Sequence, residues 1–225
     1  MNSSRDKIKK IVLIGLFSAL AYVCMFVFRI KVQFLTFDAK DAVMTIGAMF
    51  LGSVPGVIMS FIVAFVEFVS VSDTGIYGFI MNFASSAVFA CVASAIYRHK
   101  KGINTAIFGL FASVAATTVF MMVANIIITP FYTGLKVPDI IAMIPTLLLP
   151  FNLIKSVLNA SLVLLLYKPV TTALIKVKMI DKKADFKFNK NTLIMSALGV
   201  VLLVVSIIIF MFVLNGKFEL VNWNK

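Results

Sequence analysis

Long apolar runs recur along this sequence of 225 residues and constrain its fold more than any other feature. Hydrophobic residues make up 61% of the chain and charged residues only 13%. A water-soluble domain of this length has too small an interior to bury that much apolar surface, whereas a lipid bilayer solvates it directly. A helix needs about 20 apolar residues to cross the hydrocarbon core. The runs therefore predict an all-α integral membrane protein.

Charged residues, prolines and glycines divide the apolar sequence into seven predicted spans. Residues 41–71 are long enough for two short helices, because Gly52-Ser53-Val54-Pro55-Gly56 interrupts them and such residues break helices. The other five runs are 11–28, 76–97, 103–128, 145–167 and 193–214.

The spans group into three predicted parts. Residues 1–170 are expected to form a bundle of six spans. A basic cytoplasmic linker is expected at 171–192, followed at 193–225 by an extra C-terminal span with a short outer tail.

The distribution of lysine and arginine orients these spans. With the N-terminus in the cytoplasm, 14 of the 21 basic residues fall inside and six outside, and Lys155 lies within a span. This asymmetry follows the positive-inside rule, which the opposite orientation would violate. The net charge of +12 is thus typical of membrane orientation and attraction to anionic lipid, and does not indicate nucleic-acid binding.

Several classes of chemistry lack the residues they need. The one histidine, His99, falls in a basic cytoplasmic turn, so no histidine metal site or Ser-His dyad is expected within the membrane. No glycine-rich phosphate loop of the Walker type is present, so the chain is not expected to hydrolyse ATP. Asp38 and Asp41 are three apart, but helix N-capping and acid placement in a first helical turn explain them better than a metal. We expect neither an enzyme nor a metal centre.

Function is expected where polar side chains lie inside the membrane, because burying them there is unfavourable unless they meet a cavity or a partner. The residues of this kind are Asp41, Glu67, Asn82, Asn125, Asn152, Lys155 and Asn159.

Asn152 and Lys155 are the strongest candidates for binding a ligand. They are three apart in one span and share a helix face, and Asn125 and Asn82 lie at a similar depth near the outer ends of their own spans.

Each of these membrane polar residues also has a simpler explanation. A membrane asparagine can bond a neighbouring helix, a lysine can snorkel to headgroups, and Glu67 can reach water. Asn159, one turn further inward, is assigned a structural role.

Small residues on the first span indicate a second kind of site. Gly15 and Ala19 are four apart, with Ser18 beside them, and such a face lets another helix approach closely in the bilayer. The approaching helix can belong to this chain or to a partner, and the sequence leaves both readings open.

Four segments of the sequence resemble the S components of energy-coupling factor (ECF) transporters, and most closely their riboflavin-specific member. The resemblance covers about residues 9 to 170. Its segments are Phe37-Asp38-Ala39-Lys40-Asp41 leading into residues 47–57, Glu67, Asn125 followed by Thr129-Pro130-Phe131-Tyr132, and Leu149-Pro150-Phe151-Asn152-Leu153-Ile154-Lys155 continuing to Leu166-Tyr167-Lys168. The last segment is the most specific.

The resemblance implies a six-helix bundle in a bacterial cell membrane that binds riboflavin tightly from outside. By position, Asn152 and Lys155 match the family's ring-binding pair and Asn125 its helix-five amide. Residues 34–39 would form a lid, in which Phe37, Asp38 and Ala39 contact the ligand. Glu67 and Asn82 complete the expected set.

The resemblance also implies partners: a membrane scaffold subunit, packed on Gly15 and Ala19, and two ATPase subunits. Riboflavin, or its phosphate FMN, is then cargo and not a cofactor, and none is required. The extra span at 193–214 departs from the family pattern.

Three other functions compete with this interpretation. One is the transport of another vitamin, thiamine or pantothenate, on the same fold. Thiamine is cationic and would suit a carboxylate-lined pocket, which Lys155 argues against. The second is an intramembrane enzyme using Glu67 or Asp41 as a base, for which no paired acid or metal is evident. The third is an accessory protein that presents a flavin at the outer face.

The predicted topology can be tested by cysteine labelling from outside intact cells, with Cys24 and Cys91 replaced by serine. A single cysteine at residue 225 should react with an impermeant maleimide, and one at residue 183 should not, because the basic segment is expected in the cytoplasm. The reverse pattern would contradict the orientation.

Overall fold

Helices make up most of the structure, a computed structural model that describes residues 3–72, 74–100, 102–176, 190–214 and 219–220. Within these ranges the helices are α1 (Ser3–Val27), α2 (Lys40–Leu51), α3 (Ser53–Ser70), α4 (Gly75–His99), α5 (Ile103–Thr133), α6 (Val137–Met143), α7 (Leu149–Lys176) and α8 (Lys190–Leu214). The strands are β1 (Ile30–Val32), β2 (Leu35–Phe37) and β3 (Glu219–Leu220).

Each of the seven predicted apolar runs forms a helix, and the chain is an all-α membrane protein as the sequence predicts. Five helical segments within the described residues are long and apolar enough to cross a bilayer. They are Asp6–Val27, Ser53–Ser70, Gly75–His99, Asn104–Thr133 and Val137–Lys176. Of the other two, α2 is short, and α8 contributes the shorter apolar stretch Ser196–Ile209.

Helix α2 occupies the centre of the bundle and packs against α1, α3, α4 and α7. Its 12 residues rise only about 18 Å, less than the ~30 Å hydrocarbon core. Ten of them are buried, including Lys40 and Asp41 at its start. It ends at Gly52, whose φ of 115° is open to glycine and strained for other residues.

Two glycines allow the helices around α2 to approach closely. A Cβ atom at Gly47 would lie 2.9 Å from the ring of Phe17 on α1. A Cβ atom at Gly56 on α3 would lie 2.8 Å from the Cβ of Ala48 on α2. Both distances are shorter than ordinary carbon–carbon contact, so these positions need glycine to keep the packing.

Two helices extend further than the sequence predicts. Helix α5 was expected to stop at Thr129-Pro130 but continues through Pro130 to Thr133, where the left-handed Gly134 caps it. Helix α7 continues through Pro169 to Lys176, so the predicted boundary at residue 170 lies inside a helix. A proline within a helix removes only one backbone hydrogen bond, and neighbouring packing keeps both helices continuous.

The segment between α1 and α2, expected as a loop, contains a β-hairpin. Strands β1 and β2 pair antiparallel from Ile30–Phe37 to Val32–Leu35. The two-residue turn between them places Gln33 in the left-handed region, with φ of 54°. The hairpin lies between the end of α1 and the start of α2 and is followed directly by Asp38.

A short helix and a π-helical segment precede α7, and neither was predicted. Helix α6 begins with a capping interaction in which Asp139 accepts from the backbone N–H of Lys136. Residues Ile144–Leu148 are π-helical, a geometry that often marks functional sites in helices. The π segment leads directly into the first turn of α7, which carries Asn152.

The packing at Gly56 makes a testable prediction about stability. Gly56→Leu should lower the thermal unfolding midpoint in detergent, because the larger side chain overlaps Ala48, and such overpacking costs about 1–3 kcal/mol. The matched control is Gly15→Leu on α1, where nothing lies within 4 Å of an added Cβ. Equal midpoints for the two variants would contradict the close contact between α2 and α3.

Candidate functional site

Six charged side chains are buried together at one end of the bundle, and they balance in charge. The described residues contribute three cations and three carboxylates: Arg29, Lys40, Lys155, Asp38, Asp41 and Glu67, each at most 8% exposed. A buried charge is tolerated when it is paired and hydrogen-bonded. We call this set the charge network.

Asp38 is the centre of the charge network. It follows β2, and its carboxylate lies 3.3 Å from Nζ of Lys40 and 3.0 Å from Nζ of Lys155. Burial by itself raises the pKa of Asp38, but the charges of Lys155 and Lys40 outweigh it and lower that pKa to about 2. The carboxylate is therefore ionised at neutral pH and holds two cations from two helices.

Glu67 on α3 anchors the other side of the charge network. Lys40 Nζ donates to its carboxylate at 2.6 Å, and a guanidinium nitrogen of Arg29 lies 3.7 Å away. Arg29 immediately precedes β1 and Lys40 begins α2, so both ends of the hairpin are bound to the same carboxylate. Glu67 is 2% exposed, which rules out the reading that it simply reaches water.

Asp38 and Asp41 lie at the start of α2 as the sequence suggested: Asp38 accepts from the backbone N–H of Lys40, and Asp41 lies in the first turn of the helix. The N-cap residue is Ala39, whose own side chain makes no capping hydrogen bond. Asp41 accepts a hydrogen bond from the Ser86 hydroxyl on α4, while Asp38 is engaged with lysines. Among the described residues, no group of three or more metal-ligating side chains is present.

Asn159 joins the hairpin to two helices. Its side-chain nitrogen donates to the backbone oxygen of Asp38 at 3.0 Å and its oxygen accepts from the backbone N–H of Ala42 at 2.9 Å. This amide fixes the chain where the hairpin enters α2, in agreement with the structural role that the sequence suggested.

Lys155 and Asn152 share one face of α7, as their spacing predicts. Besides Asp38, Lys155 Nζ donates to the backbone oxygen of Thr36 on β2 at 3.0 Å. These two bonds leave one of the three N–H donors of the lysine for another partner. Asn152 is 5% exposed and donates to the backbone oxygen of Leu148 at 2.8 Å. Its side-chain oxygen accepts no hydrogen bond from any residue that the structure describes.

The two remaining amides differ in their surroundings. Asn125 on α5 is fully buried, donates to the backbone oxygen of Met121 and accepts from the Thr129 hydroxyl. Asn82 on α4 is half-buried and has no hydrogen-bond partner within the described ranges. Helix α5, which carries Asn125, packs on α7, and α4, which carries Asn82, packs on α5.

An apolar cluster links the hairpin to α7. Its buried members are Val32, Leu35, Phe37, Ile140, Leu147, Leu148, Phe151 and Ile154, with Met122 and Ile126 of α5 packed against them. These residues come from the hairpin, α6, the π segment and α7. Ala39, half-buried, closes the segment after Phe37. The cluster is where a flat apolar ligand would find a matching surface.

Cationic and amide donors at the edge of this cluster define what the site can recognise. A ligand with an aromatic body and a polar edge of carbonyls and N–H groups would place its body against apolar side chains. Its edge would meet Lys155 and Asn152. Such sites are mainly apolar, with a few polar groups that fix orientation.

Arg29 and Lys40, two of the six basic residues that the predicted topology places outside, are buried members of the charge network. Two sequence features indicated that Lys40 is buried. Glu67 lies within an apolar run, where a carboxylate needs a cationic partner. Lys40 lies between Asp38 and Asp41 at the start of an apolar helix. Arg29 carried no comparable signal, because an arginine at the end of a span is usually hydrated.

Gly15 and Ala19 are exposed on the outer surface of α1. Nothing lies within 4 Å of a Cβ added at Gly15, so no helix of the described chain packs there. The reading in which this face packs against a neighbouring span of the same chain is not supported.

Comparisons with known proteins identify relatives of this chain and of its fold. The riboflavin transporter RibU of Staphylococcus aureus (strain TCH60) is 27% identical over 171 residues, which cover 71% of this chain and 89% of that protein. A solved structure described as the S component of a bacterial ECF transporter superposes with a TM-score of 0.64 at 26% identity. The superposition covers 75% of this chain and 98% of that one.

A family model extends the same assignment over most of the chain. It is described as ECF transporter, substrate-specific component, and it matches residues 9–167. That range includes the hairpin, the charge network and the part of α7 that carries Asn152 and Lys155, and it ends before α8. This match covers most of the chain, including the hairpin. The chain therefore belongs to the substrate-specific components of ECF transporters.

Proposed function

We propose that this chain captures riboflavin at high affinity at the outer face of the membrane, as the substrate-binding subunit of an ATP-driven ECF importer. The observation that carries the proposal is the pairing of Lys155 and Asn152 on one face of α7, at the edge of the apolar cluster. The curated relative is a riboflavin transporter, which supports the same substrate.

The ligand's ring system has matching surfaces in this site. The isoalloxazine ring rests against the apolar cluster under the hairpin, and its carbonyl and imide edge bonds to Asn152 and Lys155. The free acceptor of Asn152 suits the imide N–H, and the remaining donor of Lys155 suits a carbonyl. Asn125 adds an amide from α5, and Asn82 lies at the periphery.

The hairpin and the residues that follow it act as the lid of the site. Phe37 contributes to the apolar cluster, and Asp38 orients Lys155. Ala39 lies where the backbone turns into α2. Glu67 acts indirectly: it binds Arg29 and Lys40, and thereby holds the two ends of the lid. FMN is an alternative form of the same cargo.

The charge network argues against a cationic vitamin such as thiamine. Asp38 and Glu67 are each paired with cations of the chain, and Asp41 accepts from Ser86. Asp38 and Glu67 are thus already neutralised by the chain's own cations, and Lys155 would repel a cationic ligand. Pantothenate lacks an aromatic body to match the apolar cluster.

Transport requires energy that this chain does not supply, because its sequence has no phosphate-binding loop. We therefore assign ATP hydrolysis to two ATPase subunits and coupling to a membrane scaffold subunit. The exposed Gly15 and Ala19 face of α1 is the surface proposed for the scaffold, since small residues let helices pack closely in lipid.

We also propose that the hairpin faces the outside of the cell. The basic N-terminus then lies in the cytoplasm, as does the segment between α7 and α8, residues 177–189, which falls outside the described residues. The pairing of β3 with β1 puts Glu219–Leu220 on the side of the hairpin, which supports an extracellular C-terminus in this orientation.

Flavin binding by the purified chain tests the proposal directly. Titration with the isolated subunit, without ATP, should quench riboflavin fluorescence and give a dissociation constant. Asn152→Ala and Lys155→Ala should each weaken binding about ten- to a hundredfold, because an unpaired buried carbonyl costs roughly 1–3 kcal/mol and 1.4 kcal/mol is tenfold.

The control for these variants is Leu153→Ala, a lipid-facing position on the same helix that is 43% exposed. It should bind with unchanged affinity. Asn159→Ala is not a neutral control, because its amide holds Asp38 and Ala42. Unchanged affinity in Lys155→Ala would remove that lysine from the site, and binding of thiamine without any flavin would refute the proposed substrate.

The docking face yields a prediction that separates binding from uptake. Replacing Gly15 and Ala19 together by leucine should leave riboflavin affinity nearly unchanged, because the face lies on the outside of α1. Uptake of labelled riboflavin by cells should be lost, because two larger side chains prevent close helix packing. A parallel fall in affinity and uptake would show that the face supports the bundle itself.

A further inference from the structure

Helix α8 lies beyond the family match and is anchored to the bundle. It packs along α7 and touches α5, and Leu198 and Leu202 join the main hydrophobic core. Gly199 permits the close approach, since a Cβ there would lie 3.0 Å from Leu165 and 3.2 Å from Leu164. The helix is therefore a fixed part of the bundle and not a separate anchor.

The chain after α8 returns to the hairpin. Strand β3 pairs antiparallel with β1, with Ile30 opposite Leu220 and Lys31 opposite Glu219. The strand order is β2-β1-β3, so β1 is paired on both edges. Without β3, the outer edge of β1 would present unpaired backbone N–H and C=O groups.

The connection between α8 and β3 is short. Five Cα–Cα steps separate Leu214 from Glu219, which span at most about 18 Å when fully extended. Since α8 is packed on α7, β3 can lie no more than about 18 Å from the fixed end of α8. Movement of the hairpin away from α7 must break the β1–β3 pairing or stretch this connection.

We propose that the C-terminal segment Glu219–Leu220 is a third strand of the substrate lid, which holds the hairpin over bound ligand and slows its release. The inference rests on the proposed function, because the lid matters only if a ligand lies beneath it. Two observations support it. The β2 side of the hairpin carries Phe37 and accepts a hydrogen bond from Lys155 at the backbone oxygen of Thr36. The β1 side pairs with β3, which follows α8 in the chain.

The first experiment measures release of riboflavin by stopped-flow recovery of its fluorescence after dilution. A chain ending at Leu214, and a variant with Glu219→Pro and Leu220→Pro, should release ligand about three- to tenfold faster. In an antiparallel pair one of two successive residues donates its N–H to the partner strand, so the double proline removes the donor whichever residue holds it. The loss of one to two net hydrogen bonds sets the size of the effect.

The matched control replaces Glu219 and Leu220 by alanine. Alanine keeps both backbone N–H groups, so pairing with β1 and the release rate should be preserved. Release from the alanine variant as fast as from the proline variant would overturn the proposal, as would unchanged release in the truncated chain.

The second experiment locks the pairing covalently. Ile30→Cys with Leu220→Cys, and separately Lys31→Cys with Glu219→Cys, are made after replacing Cys24 and Cys91 by serine. Oxidation should form a disulfide in at least one pair and slow both binding and release of riboflavin, and reduction should restore both rates. Absence of any disulfide, or unchanged rates in the oxidised protein, would overturn the proposal.

These measurements distinguish failure of the proposed substrate from failure of the proposed third strand. Disulfide formation is scored by gel mobility without any ligand. If the disulfide forms and no variant quenches flavin fluorescence, the proposed substrate fails and the lid role fails with it. If all variants bind riboflavin with the same release rate, the proposed function stands and the third strand is refuted.

Discussion

The rest of the site depends on a balanced set of charges buried where the hairpin meets the helices. Arg29 and Lys40, at the two ends of the hairpin, both reach Glu67, and Asp38 links Lys40 to Lys155. In a medium of low dielectric, removing one member leaves its partners buried and unpaired, which is strongly destabilising. This mutual requirement fixes the hairpin against α3 and α7 more firmly than the apolar contacts alone would.

Under the proposed function, the same contacts couple the hairpin to the ligand. Lys155 divides its donors among Asp38, the backbone of Thr36 on β2, and the ligand edge proposed above. A ligand that engages this lysine therefore shares it with the lid. Binding and lid position are then coupled through one side chain, as expected when a ligand binds one of two arrangements more tightly. The carboxylates are already satisfied within the chain, so the ligand meets donors and apolar surface.

The sequence predicted the helices well because their apolar runs have a single physical explanation in a bilayer. It predicted the Asn152–Lys155 face for an equally local reason, since helical spacing alone places the two together. The β-hairpin escaped notice because its strands have three residues each, too few for a periodic pattern. The ion pairs of Glu67 with Arg29 and Lys40 were not predicted, because these residues lie 38 and 27 positions away in the sequence and only folding brings them together. The π segment before α7 left no signal beyond its proline.

The C-terminal addition shows the same division: its helix is predicted from local sequence, whereas its pairing with a distant strand is not. Its apolar run predicts α8, and Gly199 seats that helix on α7. What neither pattern nor family resemblance indicates is that the chain then pairs with β1. A hairpin with β1 unpaired on its second edge can move without breaking these backbone hydrogen bonds, whereas pairing with β3 means that movement must break the β1–β3 pairing or stretch the connection to α8. A substrate-binding subunit that carries its own closing strand would therefore retain its ligand longer than one ending at the sixth helix, with the same residues facing the ligand.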